Sequence, residues 1–70
     1  HINGSLYMKY VYKNIVHFKD MKKFQDKYIS ISINYANCLC MEKSYEEMIK
    51  TANLILDFQI KNNKYDIFYN

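Results

Sequence analysis

The chain has 70 residues, of which 50% are hydrophobic and 17% aromatic, and it carries a net charge of +3. This length excludes multi-domain architectures, and the apolar content excludes a disordered segment. The longest apolar run, residues 38–41, is far shorter than the roughly 20 residues that a membrane span needs. With no signal-peptide core in view, we expect an intracellular protein of the reducing cytoplasm that makes no contact with a membrane.

The composition also bears on the origin of the chain and on its boundaries. Lys, Asn, Ile, Tyr and Phe make up more than half of the residues, and their codons are rich in A and T, which indicates an AT-rich genome. Residues 1–7 hold the only glycine and precede the first methionine. We interpret them as a cloning remnant or a disordered N-terminus, which leaves residues 8–70 as one small domain.

The first half of the chain predicts a strand followed by a short helix. Residues 6–18 are rich in Tyr and Val, and large apolar side chains alternate with lysines, as in a half-buried strand. Asp20 is a suitable N-cap. Because Met21, Phe24 and Tyr28 then recur at helical spacing, we expect a helix that ends near Tyr28.

A second strand and a turn are predicted next. Over residues 29–35, isoleucine and tyrosine alternate strictly with serine and asparagine, so that one face is apolar and the other small and polar. Residues 34–37 offer turn chemistry. Residues 38–41 are then expected to return as another strand.

The strongest helix signal begins at Ser44. Ser44 and Glu47 have the spacing of a capping box, in which each side chain satisfies a backbone donor of the first turn. Apolar residues then recur at helical spacing until the pair Asn62-Asn63, which predicts a core-facing stripe on this helix. Two large apolar residues, Leu54 and Phe58, lie off that stripe and indicate a second packed neighbour.

A last strand is predicted from Tyr65 to Tyr69, where Tyr65, Ile67 and Tyr69 alternate with Asp66 and Phe68. The resulting order, βαββαβ, resembles the ferredoxin-like split βαβ sandwich in its element order. This order implies an α+β fold with two helices on one face of an antiparallel or mixed sheet. The second choice is βαβαβ, with residues 29–41 as one bent strand.

Few residues of the chain are suited to catalysis or to metal binding. His17 is the only histidine after residue 1, and no glycine-rich loop is present that would hold phosphate. Cys38 and Cys40 are half of a tetrahedral zinc site at most, and His17 is the nearest further ligand type. We therefore predict no enzymatic activity, no cofactor and no metal.

The aromatic excess favours a protein that binds other proteins. Not all eight tyrosines fit into the core of so small a domain, and exposed tyrosine is typical of interfaces. We expect the partner surface at Leu54, Phe58, Tyr65 and Tyr69. The predicted function is a non-enzymatic binding module, such as an accessory or inhibitor protein of a phage or mobile element, and a homo-oligomer is another way to cover this surface.

The alternative prediction is a nucleic-acid-binding protein. Residues 1–35 hold six lysines and two aspartates, whereas residues 36–70 hold four lysines and five acidic residues. Within the basic half, Lys19, Lys22, Lys23 and Lys27 would form a ridge on one helix that contacts phosphates, with exposed tyrosines stacking on bases.

Overall fold

The computed structural model describes residues 4–64, and over this range the chain is helical and contains no strand. The helices are α1 (Gly4–Val16), α2 (Gln25–Met41) and α3 (Tyr45–Asn62), and a single 3-10 turn (Lys22–Phe24) precedes α2. The predicted α+β fold is therefore wrong, in the βαββαβ order as in the βαβαβ order. The strand predicted at Tyr65–Tyr69 lies outside the described residues.

Helix α1 occupies the segment that was predicted as the first strand. The residues turned inward are Met8, Val11, Tyr12 and Ile15, which have the i, i+3, i+4, i+7 spacing of one helical face. Tyr10, which a strand would place on the same face as Tyr12, is 70% exposed. Residues Gly4–Tyr7, interpreted as part of an N-terminal remnant, form the start of this helix.

Helix α2 replaces the second and third predicted strands with one continuous element. Its buried residues are Tyr28, Ile29, Ser32, Tyr35 and Leu39, which is again a helical period. Ser32 is fully buried, and its hydroxyl donates a hydrogen bond to the Tyr28 carbonyl oxygen at 2.7 Å. The strict alternation of isoleucine and serine was misleading because a small polar residue occupies a core position.

The short helix predicted from Asp20 to Tyr28 does not form as one element. α1 ends at Val16, a turn follows, and α2 begins at Gln25 after the 3-10 turn, without a side-chain cap. Bonds to the far end of α3 hold the start of α2 instead. The Gln25 amide donates to the Asn62 side-chain oxygen at 3.2 Å, and Asp26 pairs with Lys64 at 3.1 Å.

Helices α2 and α3 both end in a left-handed residue. Lys43 has φ 64° and Asn63 has φ 55°. After α2, the Ser44 amide donates to the Leu39 carbonyl oxygen at 2.8 Å, and after α3 the Lys64 amide donates to the Gln59 carbonyl oxygen at 2.8 Å. These 6→1 bonds define Schellman motifs, and the first of them reverses the chain between α2 and α3.

The helix predicted after Ser44 is confirmed as α3, and its end at Asn62 agrees with the sequence. The capping box is not formed, because the Ser44 side chain makes no cap bond. The Glu47 carboxylate instead accepts a hydrogen bond from the Tyr35 hydroxyl at 3.2 Å. The capping residues therefore located the helix start correctly, although Glu47 has a different partner.

The core lies along α2, which packs against both α1 and α3. Within residues 4–64, α1 and α3 make almost no backbone contact with each other. Ile15, Tyr28, Ile29, Ile55 and Phe58 form the central cluster. This arrangement leaves an open groove between α1 and α3, with α2 beneath it. In the same range, no helix has the length and apolar content required to cross a bilayer.

Candidate functional site

The space between α1 and α3, which we call the α1–α3 groove, contains two cavities. One has a volume of 340 Å³ and lies beside Val16, Tyr28 and Phe58, and the other has a volume of 220 Å³ and lies beside Tyr35 and Thr51. Tyr12 of α1 and Leu54 of α3 line both cavities, so the two lie next to each other along the helices. With Tyr12 on a predicted strand, the sequence pattern does not place it next to Leu54.

A cluster of tyrosines forms the base of the groove. The Tyr12 ring stacks on those of Tyr28 and Tyr35, with centroids 6.2 and 5.0 Å apart. Tyr28 and Tyr35 are only 3% and 2% exposed, so Tyr12 alone of the three presents substantial ring surface to a ligand. The cluster therefore fixes the shape of the groove rather than supplying several free rings for stacking on bases.

Ionisation of two of these hydroxyls is suppressed by their surroundings. Burial, followed by the neighbouring Tyr28, raises the pKa of Tyr12 above its ordinary value of 10.0. Burial also raises the pKa of Tyr35, and the nearby Glu47 carboxylate adds to the effect by disfavouring a second negative charge. Both groups are therefore neutral in the folded protein at neutral pH.

We expect the folded state to lose stability above pH 10. In the unfolded chain these two tyrosines ionise near their ordinary pKa of 10.0, whereas in the folded chain they still hold their protons. The unfolded state then binds fewer protons, so the free energy of unfolding falls as pH rises from 10 through the raised pKa values. Urea unfolding at several alkaline pH values, followed by circular dichroism, measures this slope.

Replacing Tyr12 with phenylalanine removes one of the two groups and should make that decline shallower. The same decline in the Tyr12→Phe variant and in the wild type would contradict the assignment to the tyrosine cluster. Tyrosinate absorbance of the folded variants, recorded over the same pH range, gives an independent check.

The structure separates the two residues that were predicted to lie off the stripe of α3. Phe58 is 7% exposed and makes an edge-on contact with Tyr28 at a centroid distance of 4.7 Å, so it belongs to the core. Leu54 is 53% exposed and forms a wall of the groove. Tyr65 and Tyr69, the other predicted partner residues, lie outside the described residues.

The predicted lysine ridge is not formed, because its members lie on different elements. Lys19 belongs to the turn after α1, Lys22 and Lys23 to the 3-10 turn, and Lys27 to the first turn of α2. A spacing of four residues aligns side chains only within one continuous helix. The Lys19 ammonium lies 5.6 Å from the Phe58 ring centroid and that of Lys23 lies 5.3 Å from the Phe24 centroid, so both contact aromatic rings.

The weak metal candidates do not converge. Cys38 is half-buried and Cys40 exposed, and both are free thiols. On α2, side chains two positions apart in the sequence project about 200° apart around the helix axis. A strand would instead place both cysteines on the same face. His17 lies in the turn after α1. Within residues 4–64, no group of three or more His, Cys, Asp or Glu side chains is placed to hold a metal ion.

A second apolar surface lies on the side of α3 that faces away from α1. The broad apolar stripe of this helix is predicted to face the core, but only part of it is buried. Ile55 and Gln59 point inward, whereas four large residues are half exposed or more: Tyr45, Ile49, Leu56 and Ile60. Helical spacing places these four on one face, which we call the outer face of α3.

Comparisons of the chain with models of known protein families, with curated proteins and with solved structures found no match. The class of the protein is therefore defined by its own fold. Over residues 4–64 it is a small three-helix bundle whose first and third helices enclose a groove.

Proposed function

We propose that this chain is a small non-enzymatic protein-binding module and that the α1–α3 groove receives the partner. The observation that carries the proposal is the position of Leu54, a large apolar side chain that is 53% exposed between two cavities. Ligand sites of proteins are usually concave and lined mainly by apolar side chains, and Leu54 gives the groove such a lining. Such a module would act by surface complementarity, as an accessory factor or inhibitor of the bound protein.

The dimensions of the groove favour a helical ligand. Its walls extend on α3 from Glu47 to Asn62, a span of about 22 Å at the rise of an α-helix. Two helices that lie apart on a third form a groove that can hold an amphipathic helix. The bound helix inserts its apolar residues along the base of the groove. Four turns of a partner helix would fill this length.

The proposal is tested with a display library of amphipathic helical peptides selected on the wild-type protein. Selected peptides should bind Leu54→Asp at least about tenfold more weakly than wild type, because the carboxylate is placed in the apolar site. Fluorescence anisotropy with purified peptides gives the dissociation constants. Circular dichroism confirms that the variant is folded, as expected for an exposed position.

Leu56→Asp is a matched control, because Leu56 is 55% exposed on the outer face of the same helix. Peptides that use the groove should bind this variant as tightly as wild type. Equal weakening by both substitutions, or by neither, would contradict the groove as the binding surface. Sedimentation velocity of wild type and Leu56→Asp shows in addition whether the outer face mediates self-association.

A further inference from the structure

The two ends of the α1–α3 groove differ in charge. Around the cavity beside Tyr35 are three lysines, Lys9, Lys13 and Lys50, and one carboxylate, that of Glu47. Around the other cavity, two lysines face two aspartates: Lys19 and Lys61 with Asp20 and Asp57. The first end, which we call the basic end, therefore has a net charge of +2, and the second end is neutral.

The one carboxylate that lines this cavity is already engaged. Glu47 accepts the hydrogen bond of the buried Tyr35 hydroxyl at 3.2 Å. Within residues 4–64, neither Lys9, Lys13 nor Lys50 forms an ion pair. These three ammonium groups are therefore available to a ligand, in contrast to Lys19, which lies 3.9 Å from Asp20.

The backbone adds positive potential at the same end. The cavity beside Tyr35 combines the earlier residues of α1 and α3, and the cavity beside Tyr28 combines their later residues. α1 and α3 are thus parallel to each other, and both begin towards the basic end. Because the N-terminus of a helix carries partial positive charge, the start of α3 adds to the potential of the three lysines. The start of α1 adds little, because Lys9 and Lys13 lie well after it and Lys13 is in the last turn of α1.

We propose that the ligand of the groove is an amphipathic helix of another protein that carries acidic residues in its last turn and runs antiparallel to α1 and α3. This inference rests on the proposed function. In this orientation the negative C-terminal end of the ligand helix meets the positive end of α3. Its acidic side chains then lie beside Lys9, Lys13 and Lys50, and its apolar residues cover Leu54.

Two synthetic peptides of identical composition test the orientation and the charge. Each has about fifteen residues, four helical turns, with leucines at the same positions and both termini neutralised. One peptide carries three glutamates in its last turns and three glutamines in its first turns, and the other has them exchanged. Acidic residues in the last turn make an isolated helix less stable. The peptide with C-terminal glutamates is therefore the less helical of the two when free, which works against the tighter binding that we expect of it.

The peptide with C-terminal glutamates should bind about tenfold more tightly, as three exposed ion pairs allow. The preference should shrink at high salt. The double variant Lys9→Gln/Lys13→Gln should lose most of the preference. The control Lys22→Gln/Lys27→Gln, which removes the same charge outside the groove, should retain it. Fluorescence anisotropy with labelled peptides measures all of these constants.

The opposite preference, or equal binding of the two peptides, would overturn the inference and leave the groove itself as a binding site. Ligands selected from the library that require Leu54 but lack acidic residues in their last turn would also overturn the inference and leave the groove as a binding site. Failure of the library to yield any ligand that depends on Leu54 would instead overturn the proposed function. A single-stranded RNA that binds the wild type but not the Lys9→Gln/Lys13→Gln variant would overturn the protein ligand, because those lysines would then contact phosphates.

Discussion

Replacement of Phe58 by alanine is expected to lower the free energy of unfolding by about 3–5 kcal/mol, the usual cost of removing a buried aromatic ring. The ring is 7% exposed and packs edge-on against Tyr28, and the Lys19 ammonium lies over it. A domain of this size has a total stability of only about 3–9 kcal/mol. Urea denaturation followed by circular dichroism should therefore show a variant that is close to unfolded in water.

Leu54→Ala is the matched control for this loss. Leu54 is only four residues away on α3 and is 53% exposed, so its truncation should change stability by about 0.5 kcal/mol or less. Similar losses for Phe58→Ala and Leu54→Ala would contradict the separation of the core from the groove. The contrast matters for function, because substitutions at Phe58 report on folding and those at Leu54 on binding.

The helix α3 was predictable because several local signals agree on it. Ser44 marks its start, apolar residues recur with helical period, and Asn63 adopts the left-handed conformation at its end. Asparagine tolerates that conformation better than most residues. In this segment local preference and tertiary packing favour the same structure, which is the condition under which sequence patterns are informative.

Helix α2 was mistaken for strands because two periods coexist in the same residues. Ile29, Ile31 and Ile33 alternate with polar residues, but Ile29, Ser32 and Tyr35 are the ones buried. A short alternating run does not distinguish between the two structures. The turn residues did contain a usable signal: the chain has one glycine and no proline, whereas a sheet with several tight turns usually requires such residues.

The groove could not be predicted once the helices had been assigned as strands. Its walls combine Tyr12 and Lys13 of α1 with Lys50 and Leu54 of α3, residues that share no local motif. Their proximity depends on both helices packing against α2 in the same direction. Leu54 lies outside the predicted stripe and is 53% exposed, but which residues lie across the groove from it depends on the tertiary fold.

Two substitutions at Asn34 test the helical assignment of α2 by the direction of their effects. Asn34 is exposed in the middle of α2, so proline there removes a backbone donor and clashes with the preceding turn, at a cost of about 3 kcal/mol or more. Alanine at the same position should raise stability by about 0.5 kcal/mol, because it is the better helix former. Urea denaturation followed by far-ultraviolet circular dichroism measures both changes. A loss of stability in Asn34→Ala, or an Asn34→Pro variant that is as stable as the wild type, would contradict a helix through this position.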